Sequence, residues 1–263
     1  MGKIIGVISL KGGVGKTSLV VSLGDAIAKF GKKVLLIDAN FSSPNLGLHL
    51  NVVDPEITLH HVLSRKANLK EAVCKLENFD LLPASIFHRM MINPLNLKNI
   101  VKKLKSKYDY VIIDSSPAFG DEILATILAS DELLVVTTSD YPTLSSTLKA
   151  VKLANQRGAK INGLVLNKVY NKNFELSLED IEKTVEMPVM AVIPYDINFL
   201  KALSESIPST SYKPKSCASV ECKKLAATMI GQKYKPFKLG NLFKITPNRQ
   251  EINREVFYER VFN

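Results

Sequence analysis

Six short apolar runs punctuate the chain: Ile4–Ser9, Val34–Asp38, Tyr110–Asp114, Leu133–Thr138, Gly163–Asn167 and Val189–Ile193. They are rich in Val, Ile and Leu and scarcely alternate with polar residues, the pattern of strands buried on both faces. Between them lie stretches with apolar residues at helical spacing. Leu19, Val20, Leu23, Ile27 and Phe30 share one helix face, and Gly31 stands where that helix should stop. Leu144, Leu148 and Val151 outline the buried face of another. Strand, helix, strand, repeated, predicts an α/β fold with a mostly parallel β-sheet layered between helices. Ligands of such sheets bind at the carboxyl ends of the strands. The loops after Ser9, Asp38, Asp114, Asn167 and Ile193 therefore converge on one rim.

The first of these loops reads LKGGVGKTS over residues 10–18, between a predicted strand and a predicted helix. Gly12, Gly13 and Gly15 free the backbone to curl around Val14, so that its N–H groups can face phosphate oxygens. The following helix, entered through Ser18, presents its positive end. Lys16 can reach the β- and γ-phosphates, and Thr17 can hold Mg²⁺. Two further runs end in carboxylates on the same rim. Asp38, at the end of the second run, and Asp114, at the end of the third, are each placed to hold water bound to that ion.

The loop departs from the strict GxxxxGK[ST] pattern, since Leu10 occupies the position of its first glycine and Lys11 opens the loop. KGGVGKT with a leading lysine resembles the MinD/ParA family of deviant Walker P-loop ATPases, and the resemblance covers roughly residues 3–230. It implies a P-loop NTPase fold in three α/β/α layers, ATP with Mg²⁺ as the bound nucleotide, and a homodimer that forms with ATP. It implies that Lys11 reaches across that dimer to the partner's phosphates. DANFSSPNLG over residues 38–47, and the stretch Ser115 to Glu122 that follows Asp114, are similar to the family's two switch loops. The first usually reads D-x-D, and its second acid orients the attacking water. Asn40 stands there in this chain, and an amide can hydrogen-bond a water but cannot accept its proton. Slow hydrolysis, or hydrolysis that needs an activator, is the expectation, with Lys11, Lys16, Asp38 and Asn40 as the catalytic set. The resemblance further places Asn167 at the adenine edge and Pro194 with Asp196 in the base-side loop.

Composition narrows the setting. The chain has 263 residues, is 46% hydrophobic and has three cysteines, Cys74, Cys217 and Cys222. No apolar run of about 18 residues appears, and the N-terminus enters a strand at once, so a cytoplasmic location is expected. The sparse, odd cysteine count argues for reduced thiols. Net charge is +10, and residues 197–263 hold twelve Lys and Arg against five Glu, a local charge of +7. The compact pattern fades near Gly231, dividing an ATPase domain, 1–231, from a basic and apolar appendage, 232–263. Lysines and aromatics over 233–245 suit a membrane surface, although Pro236 and Gly240 interrupt any long helix. Glu251, Glu255 and Glu259 at i, i+4 spacing oppose anionic lipid. Membrane contact, partner docking and nucleic-acid binding by this appendage all stay open. So do three roles: a MinD-like switch positioning a division-site or polar assembly, a ParA-like DNA-partitioning ATPase, and a non-catalytic nucleotide-binding scaffold.

Overall fold

The computed structural model describes residues 2–87 and 91–234. The elements run in the order β1 (Lys3–Ile8), α1 (Lys16–Lys29), β2 (Val34–Ala39), α2 (Leu59–Leu63), β3 (Cys74–Lys75) and β4 (Asp80–Leu82). They continue with α3 (Leu97–Lys102), β5 (Tyr110–Ser115), α4 (Asp121–Ala129), β6 (Glu132–Thr137), α5 (Tyr141–Gln156) and β7 (Ile161–Val169). The last are α6 (Leu178–Val185), β8 (Val189–Pro194), α7 (Ile197–Ser204), α8 (Ser209–Tyr212) and α9 (Cys217–Met229). The strands form one sheet in the order β3-β4-β2-β5-β1-β6-β7-β8. All neighbours are parallel except the short edge pair β3 and β4.

All six predicted strands are present. The sequence pattern missed β3 and β4, which are two and three residues long and too short to register as apolar runs. Residues of the central strands divide by parity between the two faces. Ile5, Val7, Leu36, Ile112 and Leu134 pack against α1 and α9. Ile4, Leu35, Ile37, Val111 and Ile113 pack against α2, α3 and α4. Ile8, Leu133, Val135, Leu164 and Leu166 extend that second face beneath α5 and α6. These are the three layers that the fold class requires.

The α5 face differs from expectation. Leu144 and Val151 are buried, but Leu148 is exposed, and Thr147 faces inward instead. Its hydroxyl donates to the Thr143 carbonyl at 2.8 Å, and its Oγ1 lies 2.7 Å from Thr137 Oγ1 on β6, from whose hydroxyl it can accept, so a satisfied polar group takes the core position. Strand β7 outruns the predicted Gly163–Asn167 at both ends, which leaves Asn167 inside the strand.

At the amino end of the sheet, away from the rim, Glu132 gathers Lys3 at 2.6 Å, Lys160 at 2.7 Å and the Asn162 amide at 2.7 Å. Burial pushes its pKa up, but the hydrogen bonds from Lys160, Lys3 and Asn162 and the charge of Lys3 outweigh it. The carboxyl is held down at about 2, from an ordinary 4.5. A depressed carboxyl stabilises the fold above its unfolded pKa, and the contribution is lost as pH falls through the folded value. Glu132→Gln is therefore expected to lower the melting temperature near neutral pH and to flatten its fall between about pH 5 and pH 2. Thermal melts across that range test this, and parallel curves for the two proteins would refute it.

Among the described residues no helix is long and apolar enough to cross a membrane. Of the predicted appendage only residues 232–234 are described, with Tyr234 edge-on to Phe30 of α1 at 5.8 Å between ring centroids. The expectations placed on 235–263 lie outside the described residues.

Candidate nucleotide site

Between β1 and α1 the chain turns through Gly13 at φ 79° and Gly15 at φ 87°, a region that favours glycine. Gly15 caps α1. A Cβ there would stand 2.4 Å from Asn167 Nδ2, so the position demands glycine for space as well as for conformation. Leu10, in the place of the strict motif's first glycine, packs its side chain against the core beneath α5. Gly12 and Gly13 are exposed, whereas Lys16 and Thr17 are buried at the start of α1.

The loop forms one wall of a cavity of about 360 Å³. Gly12 through Ser18, Asn40, Asn45 and Pro117 line it together with Asn167, Lys168, Pro194, Tyr195 and Asp196. The rim loops thus meet as the sheet topology predicts. Lys11 is exposed and does not line the cavity, and its charge adds to the hydrogen bonds from Thr138 and Thr143 that hold Asp140 below the ordinary carboxylate range against the effect of burial.

Asp38 and Asp114 are register partners on adjacent strands, and both are buried. Asp38 Oδ1 accepts from the Asn40 N–H at 3.0 Å, and Oδ2 accepts from Asn45 at 3.1 Å and Leu46 at 3.0 Å. Burial, reinforced by the charge of Asp114, pushes its pKa up to about 7 against the pull of those three amides. Burial also raises Asp114, while the Lys16 ammonium and the Thr17 hydroxyl act the other way. Thr17 Oγ1 stands 2.6 Å from Asp114 Oδ2 and 3.1 Å from Asn45 Oδ1. Its single proton can serve only one, and the shorter contact takes it. Asp114 Oδ1 is buried with no partner among the described residues.

These facts bear on whether the site suits Mg²⁺. Among the described residues no three His, Cys, Asp or Glu side chains cluster as a metal-binding group. Magnesium does not ask for one: it keeps several waters and takes one or two protein oxygens together with phosphate. An unpartnered buried carboxylate oxygen, a second carboxylate beside it and a threonine hydroxyl fit that donor set.

Residues 2–164 match the family described as an AAA domain. An ATP-binding protein of Methanocaldococcus jannaschii is 34% identical over 235 residues, 88% of each chain. The septum site-determining protein MinD of Thermotoga maritima is 36% identical over 220 residues, 79% of this chain and 81% of that one. The structure of the septum site-determining protein MinD complexed with Mg-ADP from Pyrococcus horikoshii superposes with a TM-score of 0.82. It is 33% identical and matches 87% of this chain and 96% of that one. The chain belongs to the MinD/ParA family of deviant Walker A P-loop ATPases.

Within this MinD/ParA chain, several predicted residues do more than sequence reasoning assigned. Asn167 Nδ2 donates to the Val14 carbonyl at 2.8 Å, which leaves the carboxamide oxygen as the half able to accept from a ligand. Asp196 caps α7, accepting from the Asn198 N–H at 2.9 Å, so it shapes the cavity wall while its carboxylate serves the helix. Asn40 Nδ2 donates to the Ser43 carbonyl at 2.6 Å. The amide that replaces the family's second acid thus braces its own loop.

Other residues were missed. Lys168, at φ 57°, donates to the Gly13 carbonyl at 2.7 Å and holds the apex of the phosphate loop. Ser42 donates to Glu122 at the start of α4, joining the loop after β2 to that helix. Asn45 lines the cavity and touches Thr17. Ser42 and Asn45 both lie in the stretch 38–47, but all three contacts join residues distant along the chain and leave no local signature.

Proposed function

We propose that this chain is an ATP-dependent, dimerising switch of the MinD kind, which hydrolyses ATP to ADP and phosphate and by that cycle positions a division-site or polar assembly. In this reading Lys16 and the amides of Gly12–Ser18 hold the β- and γ-phosphates, and Asn167 offers its free carbonyl oxygen to the adenine amino group. Thr17, with Asp38 and Asp114 behind it, would hold Mg²⁺. When bound, the ion supplies positive charge against the phosphate oxygens. Lys16 and the loop amides stabilise negative charge developing on the transferred phosphoryl group. Asn40 orients the attacking water without removing its proton.

The observation that carries the reading is Lys11. It is exposed at the mouth of the phosphate loop, outside its own cavity, where it is free to meet the phosphates of a second copy. The same rim carries exposed aromatics, Phe119, Tyr141, Tyr170, Phe174 and Tyr195, with Tyr170 stacked on Tyr195 at 4.8 Å. Exposed aromatic groups of this kind belong at interfaces. The working location is the cytoplasm, at the inner face of the membrane if residues 233–245 bind lipid, and a protein activator completes the cycle. A ParA-like DNA-partitioning switch is the second reading, favoured by the net charge of +10. ATP-dependent binding to arbitrary duplex DNA that weakens steeply with salt separates the two.

Asn40→Asp probes the hydrolytic step. The carboxylate restores a proton acceptor, which is worth about 10²-fold or more where it is well placed. It also gives up the bond to the Ser43 carbonyl, at about 1–2 kcal/mol. The expected result, measured as phosphate release at saturating ATP, is faster turnover together with a lower melting temperature. An unchanged or lower rate would contradict the role assigned to position 40.

A further inference from the structure

His49 lies in the nucleotide cavity, yet none of the roles above uses it. It belongs to a short 3-10 turn over Leu48–Leu50 and lines the cavity with Lys16, Thr17, Ser18 and Asn45. Two contacts fix its place along that cavity. The His49 N–H donates to the Asn45 carbonyl at 3.2 Å, and the Asn45 carboxamide oxygen is 3.1 Å from the Thr17 hydroxyl. Thr17 closes the phosphate loop, so the turn that carries His49 lies beside that end of the loop. Its ring has no hydrogen-bond partner among the described residues. His60 and His61 differ: His60 Nδ1 accepts from the Ser85 N–H at 3.0 Å, and His61 Nδ1 accepts from the Thr58 N–H at 3.1 Å.

We propose that His49 is a proton-dependent contact for the nucleotide's phosphates, so that affinity falls as pH rises. The inference rests on the cavity holding a nucleotide.

The electrostatics run in that direction. Burial holds the His49 imidazole below its ordinary 6.5, which favours the neutral ring in the free protein. Phosphate oxygens beside the ring favour the imidazolium and raise its pKa. By linkage, the nucleotide binds more tightly at pH values below that raised pKa, and the gain disappears as pH climbs through it. Each unit of rise is worth at most about tenfold in affinity. Lys16 on α1, Lys168 on β7 and Asp196 line the same cavity; the two ammonium groups and the magnesium ion that accompanies the nucleotide oppose protonation, and the carboxylate favours it. The 3-10 turn packs on α1. Two other ionisable groups of that helix, Asp25 and Lys29, pair with each other at 2.8 Å. Asp38 and Asp114 sit buried behind Thr17, and their titration, like that of the nucleotide itself, is common to wild type and to variants at position 49.

The test is the affinity of a magnesium-saturated, non-hydrolysable ATP analogue at about pH 6 and about pH 8. Calorimetry would measure it for wild type, His49→Gln and His49→Lys, with thermal melts to establish folding. Wild type should lose about tenfold more affinity between the two pH values than the glutamine variant loses. The lysine variant, charged at both, should bind at pH 8 as tightly as wild type does at pH 6. A merely structural histidine would not show that rescue. If the glutamine variant does not fold, the lysine variant carries the comparison. Equal pH dependence in wild type and a folded variant at position 49 would overturn the assignment of His49 while leaving the nucleotide site standing. No binding by wild type at either pH would overturn the nucleotide reading and this inference with it.

Discussion

Lys16→Met is expected to lower ATP turnover by about 10²- to 10³-fold, the loss typical when one pre-placed group that stabilises developing charge is removed. The lysine is buried at the head of α1, where it needs little reorganisation to meet the phosphates. Its attraction also opposes the upward shift of the Asp114 pKa. Methionine keeps the length and packing of the side chain but removes the charge. Two buried carboxylates, Asp38 and Asp114, then face each other with less compensation, so the nucleotide-free variant should also melt at a lower temperature. Phosphate release and a thermal melt test the two parts separately. Turnover within a factor of about three of wild type would place the phosphates elsewhere.

Gly15→Ala is expected to weaken nucleotide binding by at least about tenfold and to destabilise the fold by about 1–3 kcal/mol. The backbone at φ 87° strains any L side chain, and the new methyl would lie 2.4 Å from Asn167 Nδ2. Asn167 cannot yield without breaking its 2.8 Å bond to the Val14 carbonyl. Strain and displacement therefore both act on the loop that is to hold the phosphates. Denaturant unfolding and calorimetric titration with ADP measure the two effects. A variant as stable as wild type, with unchanged affinity, would mean that the loop relaxes freely.

Much of this was legible in the sequence. Unbroken apolar runs announced the six long strands, because strands covered on both faces leave no polar positions to blur them. The phosphate loop was legible for a different reason. Glycine conformation, the lysine and the hydroxyl must all occur within a few consecutive residues, and here they do. The rest depends on tertiary placement. β3 and β4 are too short to carry a period. The inward position on α5 belongs to Thr147 rather than Leu148 because Thr137 on β6 offers its hydroxyl a partner. That match between two helix and strand residues has no local signature. The same holds for Asn167, where the sequence places an amide on the rim but cannot say that half of it is spent on the phosphate loop. Asn40 was readable as a missing acid, and its brace on Ser43 was not.

The central claim is a nucleotide-controlled dimer, and the most direct measurement is solution mass by light scattering. Wild type and Lys11→Ala would each be measured with ADP and with a non-hydrolysable ATP analogue. The account predicts a wild-type monomer of 29.1 kDa with ADP that doubles with the analogue, and a Lys11→Ala variant that binds the analogue but stays monomeric. A wild-type mass that does not change between the two nucleotides would contradict it, leaving a nucleotide-binding protein without the switch.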